Sequence, residues 1–336
     1  MEIKKTQIPI ISLFCGCGGM DIGFEQAGFN TILAIDNNAH AIESFNHNRN
    51  SKSGMLGDLS KLSAKDIIEI IDQLPKSNTL KGLIGGPPCQ SFSQGNNHQV
   101  INDPRHELPF SYASILKALN KKFQLDFFVF ENVERLKKGR HKERFERIRN
   151  ALIDAGFNIF DEELNVVNYG VPQNRRRIII VGINKTLYPK IDFVFPSGEF
   201  TKPLTVKDAI YGLPPPVFYQ RSIAGEFPYH PNHWTMQPKS LKFQDPDHLI
   251  GRGKSFRRLL WDFPSPTVAY GNNEIHVHPN GDRRLSIFEA MRLQGFPDNY
   301  QIHGTLTSQV KQISNAVPPP LAYVLAKRIQ EILQLY

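Results

Sequence analysis

The sequence predicts an α/β protein in which a doubly wound, Rossmann-like sheet is followed by a smaller, irregular and mostly β domain. Up to residue 184, short apolar runs alternate with stretches of helical spacing, which is the pattern of βαβ units. These runs are continuous in Val, Ile, Leu and Phe, as expected for parallel strands that are buried on both faces. Beyond residue 184, proline and aromatic residues become frequent, and helical periodicity nearly disappears until residue 286.

The individual elements follow from the same patterns. Strands are predicted at residues 8–14, 31–36, 80–84, 125–131 and 177–183. Helices are predicted at residues 39–48, 64–74, 111–122, 143–155, 286–294 and 322–333. We therefore expect a first domain at residues 1–184 and a small domain at 185–304. Residues 305–336 should supply a C-terminal helix that returns to the first domain.

The composition excludes several classes of protein. The chain of 336 residues has no apolar run of about 18 residues, so we expect no membrane helix, and its polar start is unlike a signal peptide. Three cysteines, an odd number, argue against a disulfide framework. No cysteine or histidine pair has the spacing of a zinc site, so no metal is predicted. These features predict a cytoplasmic protein.

The net charge indicates a class of partner. A formal charge of +8 is typical of proteins that bind polyanions, because Lys and Arg neutralise phosphates and release counterions. An ordinary solvated basic surface would give the same charge, so composition alone leaves both interpretations open.

A glycine-rich segment, FCGCGG at residues 14–19, follows the first predicted strand and precedes a helix. Glycines at such a turn allow positive φ and a close approach of the backbone to a ligand. Asp36 ends the second strand, where a carboxylate can bind ribose hydroxyls, and Asp58 follows the expected third strand. Together they predict an adenosine-containing cofactor. A dinucleotide site is the rival, but Asp21 replaces its third glycine, and a plain tight turn remains the simplest alternative.

A cysteine stands in an unusual setting at the end of another strand. Cys89 follows two glycines and two prolines in GGPPCQSFS, residues 85–93. Because ligands bind beyond the carboxyl ends of parallel strands, Cys89 is expected to face the same crevice as the glycine loop. Glu131 ends the next long strand and should point there as well. A fixed thiol and a proton-transferring carboxyl group beside such a cofactor indicate addition to a ring, with the cofactor's methyl group as the electrophile.

Six motifs, taken in order, resemble those of the DNA cytosine-5 methyltransferases of bacterial restriction–modification systems. They are LFCGCGG (13–19), IGGPPCQSFS (84–93), ENV (131–133), QNRRR (173–177), RRLSIFEAMRLQGFPD (283–298) and SNAVPPPLA (314–322). The resemblance covers nearly the whole chain. It implies that the chain binds S-adenosylmethionine and double-stranded DNA and flips a cytosine out of the helix. Cys89 would then add to C6 of the base, and the methyl group would go to C5.

The resemblance also implies roles for particular residues. The catalytic group would be Cys89, Glu131, Arg175 and Arg177, with the two arginines holding DNA and the flipped base. Cofactor contacts are implied at Phe14, Gly16, Gly18, Gly19, Asp36, Asn37, Asp58, Leu59, Pro88, Leu108, Asn315 and Val317. DNA contacts are implied at Gln90, Ser91, Arg105, Gln173, Arg257, Arg258 and Arg283.

Further expectations concern the partners and the loops. Residues 90–105 are expected to form a mobile loop that closes over DNA. Residues 201–284 hold 11 Lys and Arg against seven Asp and Glu, which suits a region that reads bases in the major groove. The enzyme is expected to act as a monomer on DNA in a bacterial cytoplasm, associated with the nucleoid, with a cognate restriction endonuclease as a possible partner.

Three residues depart from the family's commonest pattern, and three alternatives stay open. Ser12 replaces a frequent aspartate, Ser314 replaces a glycine, and Asn37 stands where an apolar residue often packs on adenine. The tRNA-methylating branch of the family is the nearest alternative, but its Cys-Phe-Thr segment is missing here. A non-catalytic DNA-binding module is the second, and the intact Cys89 and Glu131 oppose it. A nicotinamide dehydrogenase is the third, and it has no role for the Pro-Pro-Cys sequence.

Overall fold

The structure, a computed structural model, is built around a central sheet. It describes residues 7–75, 79–88, 107–198, 202–219, 227–244, 256–270 and 274–334. The predicted site residues Cys89, Gln90, Ser91 and Arg105, and the predicted loop at 90–105, lie outside the described residues.

Within the described residues the central sheet has seven strands in the order β3-β2-β1-β4-β5-β7-β6. The strands are β1 (Ile8–Leu13), β2 (Phe29–Asp36), β3 (Gly54–Leu56), β4 (Gly82–Gly85), β5 (Phe127–Val133), β6 (Phe157–Asn165) and β7 (Arg176–Asn184). Strands β1 to β5 run parallel to one another. After β3 the chain crosses back over β1 to form β4, so the strand order reverses between β1 and β4.

Helices cover both faces of this sheet. Those described in the first part of the chain are α1 (Gly19–Gln26), α2 (Ala39–His47), α3 (Ala64–Asp72), α4 (Leu108–Phe123) and α5 (Lys142–Asp154). Ile67, Leu116 and Ile148, from α3, α4 and α5, join the core on one face. On the other face, Phe24 of α1 packs with a later helix described below. The predicted doubly wound α/β fold is confirmed.

Two strands at the end of the sheet differ from the prediction. β7 is antiparallel to both of its neighbours, whereas the alternation of elements predicted a parallel strand. β6 was not predicted, because its partly polar sequence, FNIFDEELN, lacks a continuous apolar run. β6 and β7 are joined by only ten residues with no crossover helix, and such a connection suits antiparallel pairing.

The later part of the chain forms a third apolar core, which we call the small region. Its described elements are β8 (Val217–Phe218), β9 (Trp234–Thr235), β10 (Ala269–Tyr270), β11 (Glu274–Ile275), α6 (Val206–Ile210), α7 (Ile287–Leu293) and α8 (Leu306–Asn315). Cys17 and Ile22, from the first part of the chain, also pack in this core. The last helix, α9 (Pro319–Leu333), instead packs beside α1 on the sheet. Residues 305–336 therefore contain two helices, which lie in different cores.

No helix within the described residues is long and apolar enough to cross a membrane.

Candidate active site

The point where the strand order reverses defines a crevice between β1 and β4. In open α/β sheets, ligands bind at such a point, beyond the carboxyl ends of the strands. The glycine loop, residues 14–18, follows β1 directly, and Gly86, Pro87 and Pro88 follow β4. The described residues therefore place the predicted cofactor loop and the segment that leads to Cys89 at the two sides of one crevice.

The glycine loop has an unusual backbone. Phe14, Gly16 and Gly18 have φ values of 56°, 55° and 84°, all in the left-handed region. A Cβ at Gly16 would meet nothing within 4 Å, so the backbone there borders open space. Such an exposed backbone can approach a ligand closely.

Asp36 connects this loop to the next strand. One carboxylate oxygen accepts from Gly16 N at 2.9 Å and the other from Asn38 N at 2.9 Å. Burial raises the pKa of Asp36, although these backbone hydrogen bonds oppose the shift. Asp58 follows the neighbouring strand, and Gly57 N donates to Asp36 O at 3.0 Å, so the two acids lie at the same edge. Hydrogen bonds from Ser60 lower the pKa of Asp58.

A further acid, Asp21, lies in the interior next to the glycine loop. Asp21 is fully buried and accepts hydrogen bonds from Ser12 Oγ and Thr31 Oγ1, both at 3.1 Å. Burial raises its pKa to about 6. Ser12, the departure noted in the sequence, thus binds Asp21, and the pair supports the start of α1.

The last motif lies directly against the loop. A Cβ at Gly19 would begin 2.4 Å from Val317 O, so only glycine allows this approach. Val317 is buried, whereas Asn315, at the end of α8, is exposed. The predicted cofactor residue Val317 therefore lies beside the glycine loop, although it is about 300 residues away in sequence.

Glu131 forms the opposite wall of the crevice. Its Oε1 lies 2.8 Å from Arg177 Nε, and both side chains are largely buried. A side chain at Gly86 would begin 2.9 Å from Glu131 Oε2, so the carboxylate lies against the segment that leads to Cys89. Asn132 Nδ2 donates to Pro87 O at 3.2 Å and ties this segment to β5.

Arg175 lies near Arg177 but has different partners. Burial lowers the pKa of Arg175 well below its ordinary value, and repulsion from Arg177 contributes, so the two guanidinium groups are close. Its terminal nitrogens donate to Ser314 O at 2.7 Å and Ala316 O at 3.1 Å. Arg175 therefore holds the last motif in place, whereas the sequence predicted contacts with DNA and the flipped base.

Two of the predicted DNA contacts, Gln173 and Arg283, are buried and hydrogen-bonded inside the protein. Gln173 is fully buried, and its Nε2 donates to Leu293 O at 3.2 Å and Gln294 Oε1 at 2.6 Å. Arg283 makes two hydrogen bonds of 2.8 Å to Glu289, which is 1% exposed. Both residues connect parts of the protein through these hydrogen bonds, although Gln173 Oε1 is buried without a partner. Their burial leaves little side-chain surface for DNA.

The other predicted contacts have varied surroundings. Arg257 is exposed, whereas Arg258 is half-buried and donates through Nε to Pro279 O at 2.5 Å. Leu59 packs in the core on one face of the sheet, which leaves its side chain little surface for a cofactor. Leu108 is buried at the start of α4. Asn37 is exposed and Pro88 is half-buried.

The two described cysteines are poor nucleophiles. Burial raises the pKa of Cys15 well above its ordinary value and that of Cys17 to about 12. Cys17 Sγ also lies 3.7 Å from the backbone oxygen of Gln312. A thiolate is the reactive form, so neither sulfur is expected to act as a nucleophile near neutral pH.

Comparison with known proteins agrees with this geometry. The sequence model of the C-5 cytosine-specific DNA methylases matches residues 8–331. The chain belongs to the C-5 cytosine-specific DNA methylase family. The predicted family and reaction class, DNA (cytosine-5-)-methyltransferase, are confirmed.

This methylase resembles several restriction–modification enzymes. It is 34% identical to the Type II methyltransferase M.FnuDI of Fusobacterium nucleatum, over 97% of this chain and 95% of the relative. It is 31% identical to M.NgoPII of Neisseria gonorrhoeae, over 97% and 96%. A crystal structure of a DNA modification methyltransferase from an Escherichia coli prophage superposes with a TM-score of 0.77, at 26% identity over 98% and 100% of the chains. The Schizosaccharomyces pombe Dnmt2 methyltransferase, at 17% identity and a TM-score of 0.65 over 98% and 100%, shares the fold.

Sequence reasoning missed three residues around the site of this methylase. Gln294 accepts from Gln173 and donates through Nε2 to Ala316 O at 2.6 Å. Arg49 and Tyr300 contact the glycine loop from two sides. For Gln294 and Tyr300 the only signal was their place in or beside the motif at 283–298. Arg49 stands in no motif, so nothing in the sequence indicated it.

Proposed function

We propose that this methylase modifies cytosine at C5 within a specific sequence of double-stranded DNA, using S-adenosylmethionine, and protects host DNA in a restriction–modification system. The carboxyl ends of β1 and β2 would hold the cofactor, and those of β4 and β5 would hold the base. The family supports the reaction class. The relatives named above as Type II methyltransferases support the restriction–modification role and, with it, a cognate endonuclease.

The residues at the crevice fit S-adenosylmethionine. Asp36 offers carboxylate oxygens for ribose hydroxyls, and Asp58 offers one for the adenine amino group. Gly16 leaves its backbone open to the ligand, and Phe14 supplies an apolar surface. When bound, S-adenosylmethionine supplies an activated methyl group. Asn37, Pro88, Leu108, Asn315 and Val317 remain proposed contacts at the rim.

On the side of the base, Cys89 is the proposed nucleophile. Its thiolate adds to C6, forming a carbon–sulfur bond, and the displaced electrons make C5 nucleophilic. Glu131 takes up a proton as the base binds, donates it to N3 and accepts a hydrogen bond from the exocyclic amine. C5 then bonds the methyl group, and N3 returns its proton to Glu131. Water takes the C5 proton, the electrons of that C–H bond form the C5=C6 double bond, and the carbon–sulfur bond breaks with its electrons on sulfur, which releases Cys89 as a thiolate. C6 is inaccessible in stacked DNA, so the base must be flipped out, at a cost of a few kcal/mol.

The pair formed by Glu131 and Arg177 is the observation that carries this proposal. Their 2.8 Å contact fixes a carboxylate at the end of β5, where it lies against Gly86. Gly86 precedes Cys89 by three residues, so their Cα atoms are at most about 11 Å apart. Cys15 and Cys17 are held as neutral thiols by burial, which leaves Cys89 as the reactive sulfur.

Trapping with a modified base tests this mechanism. Duplexes that contain 5-fluorocytosine in the recognised sequence lack the C5 proton that must leave, so a covalent complex should accumulate with S-adenosylmethionine present. Cys89→Ser should abolish the complex, and Glu131→Gln should slow its formation by about 10²-fold or more, the contribution typical of a positioned acid or base. Glu69→Gln is the control, since this exposed acid of α3 pairs with Lys65 at 3.6 Å and the variant should trap normally.

Substrate class and sequence require separate measurements. Tritiated S-adenosylmethionine offered with DNA or with tRNA should label DNA, and label on tRNA alone would overturn the proposed substrate. Bisulfite sequencing of plasmid from cells that express the chain would then give the methylated sequence. Persistent trapping by Cys89→Ser would remove Cys89 from the mechanism.

A further inference from the structure

Tyr300 reaches from the small region to the glycine loop. It follows α7, is 5% exposed, and its hydroxyl donates a hydrogen bond to the carbonyl oxygen of Cys17. Cys17 lies between the two glycines with positive φ, and its side chain packs in the core of the small region. The centre of the loop is therefore bound to an element that the sequence separates from it by 283 residues.

Arg49 holds the hydroxyl of Tyr300 from the other side. Its NH1 donates to Tyr300 Oη at 3.1 Å, and its NH2 lies 3.5 Å from Gly18 O. Arg49 is itself fixed, because its Nε pairs with Glu25 at 2.8 Å and its guanidinium stacks 3.7 Å above the ring of Phe45. Since the hydroxyl accepts from Arg49, its own hydrogen is directed to Cys17 O.

The loop needs such support from outside. Phe14, a residue other than glycine, adopts a positive φ, and Gly16 faces open space. Within the loop, Gly18 N donates to Cys15 O at 2.9 Å, but the carbonyl of Cys17 is satisfied by Tyr300. A loop that is already held in its binding conformation loses less conformational entropy when a ligand arrives.

We infer that Tyr300, with its hydroxyl oriented by Arg49, is a positioning residue for the cofactor loop. It makes the affinity for S-adenosylmethionine depend on the small region, the same region that is proposed to read DNA. This inference rests on the proposed function, in which the glycine loop holds the cofactor.

Tyr300→Phe isolates the hydroxyl, because the ring can keep its packing on Phe296, whose centroid is 5.4 Å away. We expect S-adenosylhomocysteine, titrated calorimetrically without DNA, to bind about tenfold more weakly, equivalent to about 1.4 kcal/mol. Backbone amides of residues 16–18 should also exchange hydrogen about tenfold faster in the ligand-free variant, while those of β5 exchange as in the wild type.

Tyr188→Phe is the matched control. Tyr188→Phe also removes a hydroxyl that is hydrogen-bonded inside the protein, in this case to Asp126. This contact lies beyond the amino end of β5, away from the glycine loop. The Tyr188→Phe variant should lower the midpoint of urea unfolding without changing the affinity for S-adenosylhomocysteine. Binding by Tyr300→Phe within twofold of wild type, or an equal loss in Tyr188→Phe, would overturn the inference. A wild-type chain that fails to bind would overturn the cofactor assignment itself.

Discussion

Replacing Arg283 with methionine decides whether this arginine stabilises the small region or contacts DNA. Both terminal nitrogens of Arg283 lie 2.8 Å from oxygens of Glu289, whose side chain is 1% exposed. Without the guanidinium, Glu289 keeps the bond from Ser286 N at 2.7 Å but loses its charge partner in the interior. Removing one member of a buried ion pair costs about 3–5 kcal/mol, because the remaining charge is left desolvated.

The neighbours of Glu289 place the expected loss near the lower end of that range. His278 Nε2 lies 3.8 Å from Glu289 Oε1, and burial lowers the pKa of His278 to about 4. In the variant, the unpaired carboxylate favours protonation of this imidazole and recovers part of the lost energy. We therefore expect Arg283→Met to lower the free energy of unfolding by about 3 kcal/mol at pH 7.

Urea unfolding followed by tryptophan fluorescence measures this loss directly. The chain has two tryptophans, Trp234 and Trp261, and both pack in the small region. Arg257→Met is the control, since this exposed side chain should change stability by less than about 0.5 kcal/mol.

The loss should also depend on pH. Burial alone would raise the pKa of Glu289, but the hydrogen bonds and charge of Arg283 outweigh it and hold the pKa below its usual 4.5. The stabilising contribution of the pair is therefore present above pH 4.5 and disappears as pH falls through the lowered pKa. The difference in free energy of unfolding between Arg283→Met and wild type should therefore shrink as pH falls below 4.5. An Arg283→Met protein with wild-type unfolding and weakened DNA binding would refute this assignment.

The remaining predictions concern the glycine loop and its support. Gly19→Ala should lower the free energy of unfolding by about 1–3 kcal/mol, because its Cβ would meet Val317 O at 2.4 Å. Gly16→Ala should lower the free energy of unfolding by only about 1–2 kcal/mol, because of its φ of 55° and not because of a clash. Urea unfolding of the two variants shows which of them loses more stability. Because burial raises the pKa of Asp21 from 3.8 to about 6, wild-type stability should fall as pH rises between these values. Asp21→Asn should remove this pH dependence and raise the free energy of unfolding at pH 7 by up to about 3 kcal/mol. Urea unfolding curves that are the same for Asp21→Asn and wild type at both pH 5 and pH 7 would contradict this expectation.

The backbone geometry around the candidate site was largely predictable from sequence because it is encoded locally. A strand that ends in glycines, as at residues 13–19, predicts a turn with positive φ, and the structure has it at Gly16 and Gly18. Glu131 ends a continuous apolar run, so its place at the carboxyl edge of the sheet follows from the strand itself. A local signal was also present where it was not used: Ser286 and Glu289 form a capping box, which marks the start of α7 and gives the Glu289 carboxylate a backbone partner.

The tertiary structure alone decided which polar groups meet. Arg175 and Gln173 belong to a motif that suggests DNA contact, yet their partners are carbonyls at Ser314 and Leu293, more than 100 residues away. Contacts between distant parts of the chain likewise decide the orientation of β7 and the hydrogen bond from Tyr300 to Cys17. Backbone geometry and apolar periodicity depend on near neighbours in the chain, so sequence determines them. A buried polar side chain must instead satisfy its hydrogen bonds with whatever the fold brings near, and only the packed molecule fixes that choice.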